Sequence, residues 1–178
     1  VEHYQEKADG NGYVLKEREI KTADTDSTVT PEVTSYTGFT SLQVQTKKVD
    51  GAEMTVIQYH YTRNVHRLTF VLENGEADKV SDSRYQSTVT APNPKREGYT
   101  FVGWDKEVVE TMPDNDETYT AVWMKNTYTI RFNTEGGNEI KEMTLEYGEK
   151  ITKPKDPKRK GYKFVGWNIE IPSEMPAK

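Results

Sequence analysis

The sequence has no cysteine among its 178 residues and only five leucines. Without cysteine there can be no disulfide, no thiolate catalysis and no cysteine-based metal site. No long segment repeats apolar residues at helical spacing. The motifs of serine hydrolases, phosphate loops and dinucleotide-binding enzymes are also absent. Hydrophobic residues make up 33% of the chain and mean hydropathy is −0.90, so any hydrophobic core must be small.

Charge is abundant but not strongly one-sided. Charged residues make up 30% of the chain, and the formal net charge is −5 at pH 7. This balance argues against a nucleic-acid partner, which requires a basic face. One basic cluster runs from Lys150 to Lys163. It is either a solvated loop or a contact for an anionic surface such as a sulfated glycan or a wall polymer. The candidate ligand-binding residues in it are Lys155, Lys158, Arg159 and Lys160.

Aromatic residues are what the sequence does have. There are 11 Tyr, 5 Phe and 3 Trp, spaced regularly along the chain. A few large rings can anchor a thin core, which argues against the disorder that the charge content alone would suggest. Trp104 and Trp167 could serve as sugar-stacking platforms, but aromatic residues repeated in a small module more often form its core.

The chain contains an internal repeat. Residues 94–104 return almost unchanged at 157–167, and the two copies are offset by 62 residues, or 63 after Asp156. Tandem copying is typical of structural and adhesive modules rather than enzymes. The repeat predicts three modules, at residues 1–64, 65–126 and 127–178. A module of this size buries only about 60% of its unfolded surface and is marginally stable alone.

The joints between these modules are short. Thr62–Asn64 and Lys125–Asn126 leave little room for a flexible linker, which predicts an extended rod with restricted bending. The last module has no equivalent of residues 118–123, the closing strand of the copy before it, and we read the chain as a fragment of a longer protein. We therefore expect this module to have an unpaired sheet edge. It should be the least stable of the three, or borrow a strand from a neighbour.

Period-two alternation predicts half-buried strands. It is clear in Tyr128–Phe132, where Tyr128, Ile130 and Phe132 share one face. Asn74-Gly75 and Gly136-Gly137 predict hairpin turns because these residues accept a positive φ. The segments Pro94–Gly98 and Pro157–Gly161 each suggest a single helical turn with a proline start and a glycine exit.

These residues resemble the internalin B-repeat, also called the Listeria–Bacteroides repeat. Its pattern is Asn-x-Gly-Gly, then Tyr-Gly-x-x-Ile-x-x-Pro-x-x-Pro-x-Arg-x-Gly-Tyr-x-Phe-x-Gly-Trp. The first copy departs from it at Gln86 and Asn74, where glycine is expected, and these departures bear on local turn geometry rather than on the fold. The second copy matches at Tyr147, Gly148, Ile151, Pro154, Pro157, Arg159, Gly161, Tyr162, Phe164, Gly166 and Trp167. The first copy matches at Val89, Pro92, Pro94, Arg96, Gly98, Tyr99, Phe101, Gly103, Trp104 and Trp123.

Residues 1–64 do not align with the two copies. They resemble instead the mucin-binding-protein type of repeat that often precedes B-repeats in Gram-positive surface proteins. The likeness rests on Val1, Tyr4, Gly12, Tyr13, Val29, Tyr36, Gly38, Phe39 and the segment 59–64.

The resemblance implies a mainly β (α+β) protein of tandem, small β-grasp-like (ubiquitin-like) modules. It also implies the cell-wall stalk of an extracellular surface adhesin. No catalytic site or cofactor is implied. The expected partners are neighbouring repeats and a host-surface protein or glycan, with no nucleic acid and no membrane insertion by this segment. Two alternatives stay open, a specific glycan- or receptor-binding module and an accessory region of an enzyme.

Metal sites have weak support in the sequence. His60 and His66 are six residues apart, whereas a zinc pair within one strand is more often two apart. Asp9–Gly12 starts like a calcium loop but lacks the later ligands, and therefore predicts a hairpin turn. Asp114–Glu117 is an acidic loop that could hold a cation weakly, although a plain turn fits it better.

Overall fold

The computed structural model describes residues 1–40 and 42–177. Those residues form strands and turns without a helix, so the mainly β prediction is confirmed for them. The strands are β1 (Glu2–Glu6), β2 (Tyr13–Arg18), β3 (Thr28–Val29), β4 (Lys47–Lys48), β5 (Gln58–Tyr61), β6 (Val65–Val71), β7 (Lys79–Arg84), β8 (Tyr99–Trp104), β9 (Glu117–Lys125), β10 (Thr127–Ile130) and β11 (Met143–Glu146).

The chain divides into two compact units. The first contains residues 1–72, 77–92 and 106–120, and the second contains residues 73–76, 93–105 and 121–178. Strand β9 continues from the first unit into the second. The division into three modules inferred from the repeat therefore stays a prediction.

The N-terminal sheet of the first unit has the strand order β2-β1-β5. Strand β1 is antiparallel to β2 and parallel to β5. The predicted turn at Asp9–Gly12 closes the β1–β2 hairpin, where the amide of Lys7 donates to the carbonyl of Gly12 over 2.9 Å. Strands β3 and β4 form a separate two-stranded ribbon.

The core under this sheet is aromatic. Tyr59 and Tyr61 alternate with exposed residues along β5 and are fully buried. They pack with Phe39 and Ile57 in one hydrophobic cluster. His3 on β1 is buried beside both tyrosines, with ring centroids 5.6 Å from Tyr59 and 5.8 Å from Tyr61. Aromatic side chains thus form most of this core, in the place that leucine side chains occupy in many other proteins.

The first copy folds around a sheet of order β7-β6-β9-β8. Within the first unit, β6 is antiparallel to β7 and parallel to the start of β9. Phe70 on β6 stacks on Tyr119 on β9 at 5.3 Å, and both rings are buried. Within the second unit, the end of β9 is antiparallel to β8, with a register shift between Phe101 and Gly103.

The second copy repeats part of this pattern. Strands β10 and β11 pair as an antiparallel hairpin. Ile151 and Met175 are buried. Residues 162–167, which correspond to β8, form no strand in the described part of the chain. In the first copy β8 pairs with β9, and no described strand of the chain pairs with residues 162–167.

The predicted helical turns after Pro94 and Pro157 are wrong. Each is a four-residue reverse turn in which the amide of Tyr99 donates to Arg96, or that of Tyr162 to Arg159, over 3.1 Å. The glycine at the third position has φ +75° at Gly98 and +81° at Gly161. A left-handed residue there suits a type II turn and stops a helix before its second hydrogen bond can form.

The two departures from the repeat pattern differ in their effect on the backbone, which keeps its conformation at Gln86 and changes it near Asn74. Gln86 adopts φ +61° where Gly148 has φ +74°, so the glutamine occupies a conformation that glycine adopts at lower cost. In the hairpin after β6, the glycine with positive φ is Gly75, at +87°. In the second copy it is Gly136, at +88°, which corresponds to Asn74. The left-handed glycine therefore lies one position earlier in the second copy.

Candidate functional site at the two joints

The first joint is a set of hydrogen bonds rather than a linker. The amide of Asn64 donates to the carbonyl of Gly38 over 2.9 Å, and the carbonyl of Asn64 accepts from the amide of Tyr85 over 2.9 Å. The Thr40 hydroxyl donates to Asn64 Oδ1 over 3.2 Å. Asn64 therefore connects the N-terminal region to the first copy, and all of these residues belong to the first compact unit.

The second joint has the same three bonds. The amide of Asn126 donates to the carbonyl of Gly98 over 2.9 Å, and its carbonyl accepts from the amide of Tyr147 over 2.8 Å. The Thr100 hydroxyl donates to Asn126 Oδ1 over 2.5 Å. These residues all belong to the second compact unit. One connector, made of Gly, an aromatic residue, Thr, Asn and Tyr, is thus used twice.

A tyrosine ring covers a bare glycine backbone at each joint. A Cβ atom placed on Gly38 would lie 2.1 Å from the ring of Tyr85, and one on Gly98 would lie 2.2 Å from the ring of Tyr147. Both glycines also have positive φ, at +78° and +75°. Only glycine satisfies the close approach and the backbone conformation together.

Each tyrosine also meets the aromatic residue that follows the glycine. Tyr85 contacts Phe39 edge to face, with ring centroids 6.1 Å apart. Tyr147 contacts Tyr99 in the same way at 5.8 Å. Such edge-to-face pairs contribute about 0.5–1.5 kcal/mol beyond the area they bury. They orient one strand-turn segment against the next.

Arg63 reinforces the first joint. Its Nε donates to the carbonyl of Glu6 over 2.8 Å, and its Nη1 donates to the carbonyl of Tyr85 over 3.0 Å. Nη1 also lies 2.8 Å from Oε1 of Gln86. The guanidinium carbon is 4.9 Å from the ring centroid of Phe39. The planar guanidinium of Arg63 therefore connects the end of β1 to the ring of Phe39 and to the turn that follows β7.

Asp114 closes the other side of the first joint. Its carboxylate accepts from the amide of Gly38 over 3.0 Å, from Asn64 Nδ2 over 2.9 Å and from His66 Nε2 over 2.8 Å. The hydrogen bond from Asn64, followed by that from His66, lowers the pKa of Asp114 below its ordinary value. From the sequence, the acidic loop 114–117 was predicted to be a plain turn or a weak cation site. Its hydrogen bonds to the residues of the first joint were not predicted.

The second joint lacks this carboxylate. The residue of the second copy that corresponds to Asp114 is Ala177, and the one that corresponds to His66 is Tyr128. Asn126 Nδ2 donates instead to the hydroxyl of Tyr128 over 3.4 Å. The two joints therefore have the same backbone connections but different electrostatics.

The dipeptide of glycine and an aromatic residue that each joint contains occurs a third time, as Gly161-Tyr162. At this third position no tyrosine ring of the described chain covers the glycine. Tyr162 is 68% exposed, and a Cβ atom on Gly161 would meet nothing within 4 Å. This contrast shows that the glycine belongs to the turn, whereas burial of the pair comes from the tyrosine of a following repeat.

The candidate ligand residues lie in this third turn and in the segment just before it. Lys155, Lys158, Arg159 and Lys160 are all exposed. The guanidinium carbon of Arg159 is 3.9 Å from the ring centroid of Tyr162, as that of Arg96 is 4.0 Å from Tyr99 in the first copy. The amide of Lys158 donates to Asn138 Oδ1 over 2.5 Å. The arginine therefore has a structural role that both copies share.

The residues considered for metal or sugar binding have other contacts. His60 stacks on Tyr4 with centroids 4.9 Å apart, and His66 pairs with Asp114. Trp104 and Trp167 are half-buried and meet Phe101 and Phe164 edge to face, each at 5.3 Å. Their packing supports the prediction of a core role. In the described part of the chain there is no helix of the length and hydrophobicity needed to span a bilayer.

Comparison with known proteins gives a family match over more than half of the chain. The family model for the Listeria-Bacteroides repeat domain matches residues 66–122 and 128–173. A protein of Evansella cellulosilytica named as a membrane protein is 33% identical over 114 residues, which cover 58% of this chain and 17% of the relative. A second, named as a Gly-rich membrane protein of the same organism, is 30% identical over 126 residues, covering 66% and 15%.

Internalin H of Listeria monocytogenes is also similar, with 34% identity over 83 residues, 42% of this chain and 15% of the relative. The chain thus spans 15 to 17% of the length of these relatives. The comparisons confirm the repeat family. They do not test the likeness of residues 1–64 to mucin-binding-protein repeats.

Proposed function

Because the chain belongs to the Listeria-Bacteroides repeat domain family, we propose that it is a non-enzymatic stalk within a bacterial cell-surface protein. In this proposal three β-grasp-like modules, residues 1–64, 65–126 and 127–178, follow one another as an extended rod. The rod holds other parts of the parent protein away from the cell wall. The similarity to internalin H supports a surface location.

The observation that carries the proposal is the repeated joint. Asn64 and Asn126 make the same three hydrogen bonds, and Tyr85 and Tyr147 cover equivalent glycines. A chain whose modules only needed to be connected would require no such arrangement, since flexible linkers suffice. A connector built twice from the same residue types supports a function that depends on restricted bending.

The parallel pairing of the first and last strands supports a role in bearing mechanical tension along the chain. The strand that opens the N-terminal region, β1, is parallel to the strand that closes it, β5, and β6 is parallel to β9 in the same way. The chain therefore enters at one end of each parallel pair and leaves at the other. Tension would load the hydrogen bonds between the two strands together in shear rather than one at a time.

Small-angle X-ray scattering and single-molecule force spectroscopy on the whole chain test this proposal. We expect an elongated particle with a narrow distribution of end-to-end distances. We also expect the first copy, which has the β6–β9 pairing, to unfold at a higher force than the second. A compact globule, or a broad ensemble like that of a flexible coil, would refute the stalk.

The exposed basic residues support a weaker second proposal, in which the stalk also contacts an anionic host or wall glycan through many low-affinity sites. Multivalency would convert weak contacts into useful avidity. Lys155, Lys158, Arg159 and Lys160 are the candidates. Heparin binding that disappears when Lys158 and Lys160 are changed to Glu would support this role, and retention of binding would refute it.

A further inference from the structure

One buried histidine and two glutamates share a small volume at the edge of the N-terminal sheet. A ring nitrogen of His3 and one carboxylate oxygen from each of Glu17 and Glu19 all lie within 4.8 Å of one another. His3 on β1 is directly opposite Glu17 on β2 in the antiparallel register. Glu17 and Glu19 are two residues apart along an extended segment, so their side chains project to the same face.

His3 has one nitrogen paired and one unpaired. The residue is 1% exposed, and its Nδ1 lies 2.8 Å from the hydroxyl of Tyr61. Nε2 is buried and has no hydrogen-bond partner among the described residues. A buried polar atom left unpaired costs about 1–3 kcal/mol. With the proton on Nδ1 donated to Tyr61, Nε2 has a free lone pair.

The surroundings fit a metal ligand. An oxygen partner on one ring nitrogen is how proteins fix the tautomer and orientation of a histidine whose other nitrogen binds metal. The hydroxyl of Tyr36 is a second buried polar atom without a partner among the described residues. The ring of Tyr36 meets that of His3 edge to face at 6.4 Å, and the carboxylate of Glu17 lies beside its hydroxyl. The two carboxylates thus bring negative charge to a pocket of buried rings.

One cation is already close to these carboxylates. Lys21 Nζ lies 2.6 Å from Glu19, and the lysine side chain is 57% exposed. Exposed ion pairs contribute only about 0–1 kcal/mol, so a metal ion could displace this one at little cost. Glu17 is exposed and Glu19 is half-buried. Both side chains can therefore move toward a fixed His3.

We propose that His3 Nε2, Glu17 and Glu19 form a binding site for a divalent transition metal of the zinc type. Zinc accepts imidazole nitrogen at about 2.0–2.1 Å and carboxylate oxygen at about 2.0–2.2 Å, and one nitrogen with two oxygens leaves a fourth position for water. Calcium and magnesium prefer sets of oxygen ligands, so a buried imidazole selects against them. Such a site would fasten β1 to β2 at the start of the chain.

Titration of the whole metal-free chain with ZnCl₂ by isothermal calorimetry tests the proposal. We expect one saturable site that excess Ca²⁺ does not block and that EDTA reverses. In a long-range ¹H–¹⁵N spectrum of the histidine rings, the Nε2 resonance of His3 should shift, whereas those of His60 and His66 should not. These two histidines serve as internal references because they pair elsewhere.

Variants of the two proposed carboxylate ligands test whether these residues bind the metal. Glu17→Gln and Glu19→Gln each keep side-chain size at accessible positions, so the aromatic core should stay intact. Each should weaken zinc binding by at least about the 10- to 100-fold that follows the loss of a supporting group at a metal site. Glu53→Gln, an exposed change elsewhere in the same region, is the matched control and should bind like the unaltered chain.

Three results would overturn the proposal. They are no saturable zinc binding, binding retained in the double variant Glu17→Gln/Glu19→Gln, and a shift at His60 or His66 instead of His3. Amide spectra of each variant, recorded without metal, should match that of the unaltered chain. If the double variant is unfolded, the His3 ring resonance in the unaltered chain decides the question by itself.

Discussion

The ring of Tyr147 occupies the space that a side chain at Gly98 would need, since a Cβ atom there would lie 2.2 Å from the ring. Tyr85 stands in the same relation to Gly38 at 2.1 Å. Sequence repeats usually show how a module is built, but here part of the repeated motif serves the contact between modules. The Gly-aromatic pair forms a turn within one repeat and receives the tyrosine of the next.

Replacing Gly98 by alanine should therefore disrupt the second joint. The methyl group should cost about 1–2 kcal/mol because φ is positive. Displacing Tyr147 should add about 1–3 kcal/mol, the usual cost of overpacking. Denaturant unfolding measures the loss of stability. Residual dipolar couplings measure whether residues 65–126 and 127–178 keep one fixed relative orientation.

Gly161→Ala is the matched control for this change. Gly161 has φ +81°, close to the +75° of Gly98, but a Cβ atom there meets nothing within 4 Å. The control should show the backbone cost alone, with couplings unchanged. Equal losses in both variants would contradict a role for the tyrosine ring in the joint.

Acid should weaken the first joint selectively. The pKa of Asp114 is lowered in the folded chain, chiefly by the hydrogen bond from Asn64 and then by that from His66. A lowered folded pKa means that the stabilisation is present above the ordinary value of 3.8 and is lost as the pH falls through the folded value. We expect the amide signals of Gly38 and Asn64 to move together over that range.

The second joint serves as the internal reference for this titration. Gly98 and Asn126 have no carboxylate equivalent to Asp114, whose counterpart is Ala177. Their amide signals should not follow the same transition. In Asp114→Asn the transition at the first joint should disappear. A transition at Gly38 that survives this change would show that another acid controls the joint.

Arg63 should stabilise the first joint through geometry as well as charge. Arg63→Ala removes the donors to Glu6, Tyr85 and Gln86, and we expect it to cost about 1–3 kcal/mol because hydrogen bonds from a charged donor are involved. Arg63→Lys keeps the charge but loses the planar fork, so it should recover only part of the loss. Thermal unfolding of both variants measures this. Full recovery by lysine would show that charge alone matters.

Much of the fold could be predicted from the sequence because its cause is local. Alternating residues such as Tyr59 and Tyr61 place rings on one face of a strand, and Asp9–Gly12 contains the residues that a hairpin turn requires. The helical turn predicted after Pro94 failed for an equally local reason. A proline and a glycine four residues apart fit both a short helix and a reverse turn, and the positive φ of Gly98 shows that the chain forms the turn.

The joints could be predicted only in part. Their shortness was visible at Thr62–Asn64, but their hydrogen bonds connect residues far apart in sequence, such as Gly38 and Asp114. The missed signal was the triplet Gly38-Phe39-Thr40, which corresponds to Gly98-Tyr99-Thr100 although the surrounding residues do not align. The cluster around His3 was hidden for the same reason, because strand register and not spacing brings Glu17 opposite it.

The second copy should be the less stable of the two, because among the described strands β10 pairs with β11 alone whereas β6 is paired on both edges. The first copy also buries Tyr119 on its closing strand β9, and the strands described in the second copy are β10 and β11. Native-state hydrogen exchange should show lower protection for β10 than for β6 in a sample shown to be monomeric. A peptide that copies residues 117–125, added in excess, should raise the protection of β10 by pairing with its free edge, and a scrambled peptide should not. Equal protection of β6 and β10 without the peptide would show that the second copy does not need a closing strand.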